Sequence, residues 1–324
     1  MTAQATTADL NYLAPEIASS LYRNGAVLTR RDANGSDGGD TGIVIDKRAL
    51  PILDARTQPA GSTPTLAANG FEVEQRPLAR PGLDFLDHEM VVDHYYDECA
   101  QIVRAATGAS VVHAFDHNVR SASGKAGQKR ISGGQQVQGP AHIVHGDYTL
   151  RSAPERLQQL ARAPGRNDTF ARRLAPGATL VDPALAAAAA AGDLRFAIIN
   201  VWRNITEDPV ATRPLALCDG RSVDPEDLVV FEIHYADRIG ENYFAKHAPG
   251  HRWFTYPGLL REEALLIKQW DSAGALATSK GAQGDASADG PCTFSFHTAF
   301  KDPGAPADAP DRWSIEVRCV ALYA

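Results

Sequence analysis

Cysteine is scarce. The 324 residues contain four, Cys99, Cys218, Cys292 and Cys319, scattered without a C-x-x-C pair. This argues against a zinc site and a disulfide framework, and it fits a reducing cytoplasm. No apolar run approaches the roughly 20 residues needed to cross a bilayer, so no membrane partner is expected. Met1 to Leu13 lacks a basic stretch followed by an apolar core, so no signal peptide is expected. Basic runs are missing too, and the formal net charge is −7. That excludes the electrostatic footprint of a nucleic-acid binder. What is present is an ordinary globular composition, 44% hydrophobic and 22% charged.

The patterning is β-rich from the middle onward. Residues 195–205, 227–234, 241–247, 252–256, 294–300 and 312–322 read as short strands bounded by turn residues. Val111–Arg120 reads as an earlier one, Gly42–Ile52 as another, and Phe71–Pro81 as an edge strand. Ala264–Trp270 fits either period; strand is preferred because a long Gly/Ala/Ser loop, Ala273–Gly290, follows it. The strongest helix is Asp87–Thr107, where apolar residues recur at three- and four-residue steps, with Asp84 or Asp87 to cap it and Gly108 to end it. A second helix is expected after Ser152, and short helices at Ala14–Arg23 and in the alanine run 186–191. Ser121–Gly139 and Arg30–Asp40 read as loops. Together these predict a mainly β protein: a double-stranded β-helix, or jelly roll of the cupin kind, with helices on one outer face. We expect one catalytic domain over 1–324, with an N-terminal extension of loops and helix (1–85) and an Ala-rich insert (175–193).

The chemistry centres on His145-Gly146-Asp147. On a strand, residues two apart face the same way, so imidazole and carboxylate converge. With 10 His and 39 acidic residues in 324, chance alone supplies about one His-x-acid triplet. The far end of the chain adds weight. Phe296-His297-Thr298 closes another apolar run, and Arg312-Trp313-Ser314-Ile315-Glu316-Val317-Arg318 follows. Arg312, Ser314, Glu316 and Arg318 share one strand face. A guanidinium can clamp a carboxylate through two hydrogen bonds, with a serine hydroxyl adding a third. His-x-Asp, a late His, then Arg-x-Ser is the ordered signature of iron(II)/2-oxoglutarate oxygenases, whose two histidines and one carboxylate hold the metal on one face.

Further segments carry a family resemblance: Asn200-Val201-Trp202-Arg203, Pro214 to Asp219, His251 to Pro257, Glu263 to Lys268 and Asp271-Ser272, besides those above. Over about residues 90–324, and in order, the chain resembles the CmcJ/NvfI family of oxidoreductases. The resemblance implies a jelly-roll enzyme that uses Fe(II), 2-oxoglutarate and O2, usually in secondary metabolism. It makes His145, Asp147 and His297 the metal ligands and catalytic centre. Arg312 and Ser314 become the clamp for the far carboxylate of 2-oxoglutarate, with Arg318 as the alternative clamp. The implied substrate is a small natural product, oxidised by hydroxylation, desaturation or rearrangement.

Tyr148, Trp202 and Arg203 are candidate substrate contacts, each weighed against plain packing. His142, His234, His247 and His251 read as structural, and Asp116–His117 as a strand-end ion pair. A non-oxidative jelly-roll accessory subunit is the competing function class. A metal-dependent hydrolase gives Arg312 no task. Neither the substrate nor the oligomeric state is legible, and a homodimer is compatible with the sequence.

Overall fold

The computed structural model describes residues 5–31, 37–165, 168–236, 238–287 and 290–324. Parts of the expected loops at 30–40 and 273–290 therefore lie outside the described residues. In chain order the strands are β1 (Ala5–Leu13), β2 (Leu28–Arg31), β3 (Asp37–Thr41), β4 (Ile45–Asp54), β5 (Phe71–Gln75), β6 (Val111–Arg120), β7 (His145–Gly146) and β8 (Arg195–Asn204). Then come β9 (Leu215–Cys218), β10 (Leu228–His234), β11 (Ile239–Ala245), β12 (Trp253–Thr255), β13 (Glu263–Asp271), β14 (His297–Ala299) and β15 (Ser314–Tyr323). The helices are α1 (His88–His94), α2 (Tyr96–Thr107), α3 (Ala122–Ala126), α4 (Ser152–Leu160), α5 (Pro183–Ala191) and α6 (Ala275–Thr278).

The strands form two sheets. The larger has the order β1-β4-β12-β9-β14-β7-β11-β10-β2-β3, the smaller β5-β13-β8-β15-β6. They face each other. Trp202, Leu265 and Ile267 of the small sheet pack with Leu215, Leu217 and Phe254 of the large one. The small sheet is covered on its other side by α2. Ile315, Val317 and Cys319 of β15 and Ile199 and Val201 of β8 meet Cys99, Ile102 and Val103 there. Covering on both faces explains why β13 is buried throughout. Such a strand shows no polar alternation, which is why its sequence fitted either period.

The expected helix over 87–107 breaks in two at Tyr95, which is fully buried. Asp87 caps the first part by accepting from the Met90 amide, and Gly108 ends the second at φ 69°, where a glycine is favoured. The N-terminus departs from expectation. Ala14–Arg23 is not helical, because its backbone bonds neighbouring strands instead: Ala14 N donates to Val44 O at 2.9 Å and Ser20 N to Leu228 O at 2.8 Å. The preceding β1 pairs along its length with β4. Residues 5–75 thus supply five strands of the two sheets, β4 and β5 where strands were expected and β1 to β3 where they were not. The alanine run is helical, and Ala186 and Ala189 are buried in one cluster with Leu157 of α4.

Candidate metal centre

Strands β7 and β14 run antiparallel, and His145 is the direct partner of His297. Their ring centroids lie 4.3 Å apart. Asp147 joins them from just beyond β7, and the ligand-capable atoms of all three lie within 4.8 Å of one another. Among the described residues, this is the one such group of His, Cys, Asp or Glu. The glycine between His145 and Asp147 is packed closely: a Cβ there would sit 3.2 Å from the Phe294 ring.

Each ligand is aimed by a neighbour. His145 Nδ1 donates to the Ile143 carbonyl at 2.8 Å, which leaves Nε2 as the lone-pair nitrogen, 3.7 Å from Asp147 Oδ1. Asn200 Nδ2 donates to Asp147 Oδ2 at 3.0 Å, and Arg318 Nε does so at 3.4 Å. The Asp147 amide donates to Gln269 Oε1 at 3.1 Å. One carboxylate oxygen is therefore held by the protein, and the other faces the histidines. Such outer partners fix ligand orientation.

The protonation states suit a cation. Burial, then the neighbouring His297, pushes His145 down to about 4. Burial likewise lowers His297. Burial works to raise Asp147, but Arg318 and the two histidines outweigh it and hold the carboxyl well below its usual range. Two neutral imidazoles and one carboxylate are the state a divalent metal needs.

The two candidate clamp arginines differ sharply. Arg318 is saturated with carboxylates. Besides Asp147 it reaches Asp116 Oδ2 at 2.9 Å and Glu316 Oε1 at 3.4 Å. Arg312 is 2% exposed and has no carboxylate partner among the described residues. Its Nη1 donates to the Arg213 carbonyl, and its guanidinium lies 5.7 Å from the Trp202 ring centre. Arg312 Nε and Ser314 Oγ are both buried and unpartnered among the described residues. Burial, then the charge of Arg120, pushes Arg312 down to about 9.

A cavity of about 650 Å³ opens against Asp147 and Arg318, with Phe115, Tyr148, Tyr235 and Asn242 among its walls. Tyr148, a candidate substrate contact, lines this cavity. Trp202 does not line this cavity; it is buried beside Arg312. Arg203 is a correction. It is fully buried and faces the helix side. Nε donates to Tyr95 Oη at 2.8 Å, Nη1 to the Arg76 and Arg261 carbonyls, and Nη2 to Glu98. Alternation along β8 sends it away from the site that Asn200 faces. The expected Asp116–His117 pair is also replaced, since Asp116 bonds Arg318 and His117 bonds Tyr96 Oη at 2.8 Å. The loop Ser121–Gly139 supplies Gln135 to the cavity wall, whereas the described part of Ala273–Gly290 lines none of it. Sequence reasoning gave no site role to Asn200, Gln269 or Arg120, and read Asp116 only as part of a strand-end ion pair. Asn200 shares a face with Trp202, and Arg120 ends a predicted strand, but only the register connects them to the site.

A family model described as an oxidoreductase/YMDC permease-like domain matches residues 10–322. The chain belongs to this family. Among the described residues, no helix is long and apolar enough to cross a membrane. An uncharacterised protein from the dcmA 3′ region of Methylophilus leisingeri is 44% identical over 197 residues, which are 61% of this chain and 89% of that protein. The Fe(II)/2-oxoglutarate-dependent dioxygenase nvfI of Aspergillus novofumigatus is 30% identical over 73% of this chain and 69% of its own length. The hydroxylase/desaturase poxK of Penicillium oxalicum is 27% identical over 92% of this chain and 79% of its own. The solved structure of the iron and alpha-ketoglutarate-dependent endoperoxidase NvfI superposes with a TM-score of 0.70 at 23% identity, covering 98% of both chains. The jelly-roll architecture is thus shared across the whole length.

Proposed function

We propose that this protein is an Fe(II)/2-oxoglutarate-dependent dioxygenase that oxidises a small-molecule secondary metabolite. The observation that carries the reading is the His145–Asp147–His297 group, its two histidines buried and its donors converging within 4.8 Å. Two imidazoles and one carboxylate make the set that holds non-heme iron and leaves positions open for other ligands. A structural zinc site would close a fourth position with another Cys or His, and the described residues bring no fourth ligand to the group.

In this reading His145 Nε2, Asp147 Oδ1 and His297 hold the iron. Arg312 and Ser314 take the far carboxylate of 2-oxoglutarate, supported by their unpartnered buried Nε and Oγ. Arg318 serves Asp147 instead, because its donors are already committed to carboxylates. Iron with 2-oxoglutarate supplies the activation of O2. The chain's own residues do the rest: the cavity bordered by Tyr148 and Phe115 orients the substrate, and the packed sheets keep water from the far side of the centre. The relatives' names include hydroxylase/desaturase and endoperoxidase, so the family sets the cosubstrates more firmly than the product. The chain works as one catalytic unit, and its four free, buried cysteines suit the cytoplasm.

The test is anaerobic addition of Fe(II) and then 2-oxoglutarate. A weak visible charge-transfer band should appear, and succinate should form once O2 is admitted. A protein that binds neither is not an oxygenase. Binding without any succinate, with or without substrate, favours the accessory-subunit reading.

A further inference from the structure

Arg312 does not stand alone. On the inner face of the small sheet, Arg120 of β6 is the direct strand partner of Ser314 in β15. Arg312, two residues before Ser314, projects from the same side. Arg120 Nη1 donates to the Gly139 carbonyl at 2.9 Å, and Arg120 makes no ion pair with a carboxylate among the described residues. The contrast with the other inward arginine is plain, since Arg318, two strand-face steps beyond Ser314, holds three carboxylates. Glu316, the nearest acid between them, gives its carboxylate to Arg318. Two guanidiniums thus lie close enough in the interior to repel. Burial lowers Arg120; Glu316 acts against this and Arg318 adds to it. Arg120 is the leading charge that lowers Arg312. Like charges held close together, neither bonded to a carboxylate, are unfavourable, and a shared anion offsets that cost. The hydroxyl of Ser314 and Nε of Arg312 point the same way, since both are buried donors with no acceptor among the described residues.

Resting on the oxygenase reading above, we infer that Arg120 is a second cation of the cosubstrate clamp, and that Arg120 and Arg312 together hold the far carboxylate of a five-carbon 2-oxo dicarboxylate beside Ser314. The paired guanidiniums offer a forked donor set beside Ser314, Arg120 from the end of β6 and Arg312 from the segment just before β15. This makes the pocket selective for a dianion. A 2-oxo acid without the second carboxylate, such as 2-oxobutyrate, leaves both guanidiniums uncompensated.

The test is calorimetric titration of 2-oxoglutarate into Mn(II)-loaded protein, with 2-oxobutyrate and glutarate as further probes. Wild type should bind 2-oxoglutarate, bind 2-oxobutyrate at least tenfold more weakly, and show competition by glutarate. Arg120→Gln should weaken 2-oxoglutarate at least tenfold while leaving Mn(II) affinity and 2-oxobutyrate binding near wild type. Arg120→Lys should recover part, and it replaces the Gln variant should that one misfold. Wild-type 2-oxoglutarate affinity in Arg120→Gln, alongside a large loss in Arg312→Ala, overturns the role of Arg120 and leaves the oxygenase reading standing. If 2-oxoglutarate does not bind the wild type, or binds Arg312→Ala and Arg120→Gln alike at full strength, the cosubstrate site itself is wrong and the inference falls with it.

Discussion

Arg318 Nε lies 3.4 Å from Oδ2 of Asp147, and the same guanidinium spans Asp116 and Glu316. One side chain therefore ties the carboxylate corner of the metal centre to the cavity wall and to the sheet floor. With Asn200 on the same oxygen, it leaves Oδ1 as the atom free for a metal. Removing an outer partner of this kind typically costs 10- to 100-fold in metal affinity. Arg318→Gln should weaken Mn(II) binding by about that factor, read by calorimetry. Arg318→Lys should restore only part, because an ammonium cannot reach three carboxylates at once. Unchanged affinity in both would mean that Asn200 alone positions Asp147.

The third corner is tested more simply. His297→Ala should reduce bound Fe(II) to background, measured as metal content after desalting. Its circular dichroism should match wild type, because β14 keeps its pairing with β7 and β9 through the backbone. A variant that retains a full equivalent of iron places the third ligand elsewhere.

How much of this was legible follows from what each residue depends on. His145 and Asp147 are two apart, and Arg312, Ser314 and Arg318 share one alternating strand, so local periodicity grouped them. His297 came from the order of motifs, and the register of β14 on β7 makes that pairing physical. Arg120, Asn200 and Gln269 depend on which strands lie side by side, which no local pattern states. Arg203 was misplaced in role although its face was known: alternation put it opposite Trp202, but only the fold says which face is the site. Ala14–Arg23 was misread as a helix because it carries helical spacing, while long-range bonds to Val44 and Leu228 decide its backbone.

Arg203 consequently predicts a stability defect. Its guanidinium joins Tyr95, Glu98 and two carbonyls in the interior. Breaking a buried charge network by deleting one partner costs about 3–5 kcal/mol. Arg203→Ala should lose stability on that scale in urea unfolding, and its folded fraction should bind 2-oxoglutarate as wild type does. A stable variant with a large rise in substrate KM would return Arg203 to the substrate site.

His117 sets a pH dependence. Burial, its leading cause, pushes it down to about 4 in the folded protein, where its Nδ1 meets Tyr96 Oη at 2.8 Å. Unfolded, an imidazole titrates near about 6.5. Between those values the unfolded chain binds the extra proton, so His117 makes stability rise with pH across that window and adds no further slope above it. His117→Gln should remove up to roughly one proton of uptake on unfolding near pH 5.5, at about 1.4 kcal/mol per pH unit. Urea midpoints taken from pH 5 to pH 8 give the slope, and an unaltered slope would assign the dependence to other histidines.

Gly146 separates His145 from Asp147 at the end of β7, and Phe294 sets its size. A Cβ at 146 would lie 3.2 Å and 3.3 Å from Cδ2 and Cε2 of that ring. The ring cannot easily retreat, being 2% exposed with Phe296 edge-on at 5.1 Å and Tyr243 stacked at 6.1 Å. The strain must then pass into the backbone between His145 and Asp147. Gly146→Ala should cost about 1–3 kcal/mol as an overpacking change and weaken metal binding, because His145 and Asp147 move apart. Phe294→Leu alone should destabilise by creating space. Combined with Gly146→Ala it should recover stability and metal affinity together, giving a coupling of opposite sign to the single effects. Simple additivity of the two changes would show that the close approach of Phe294 does not constrain the ligand pair.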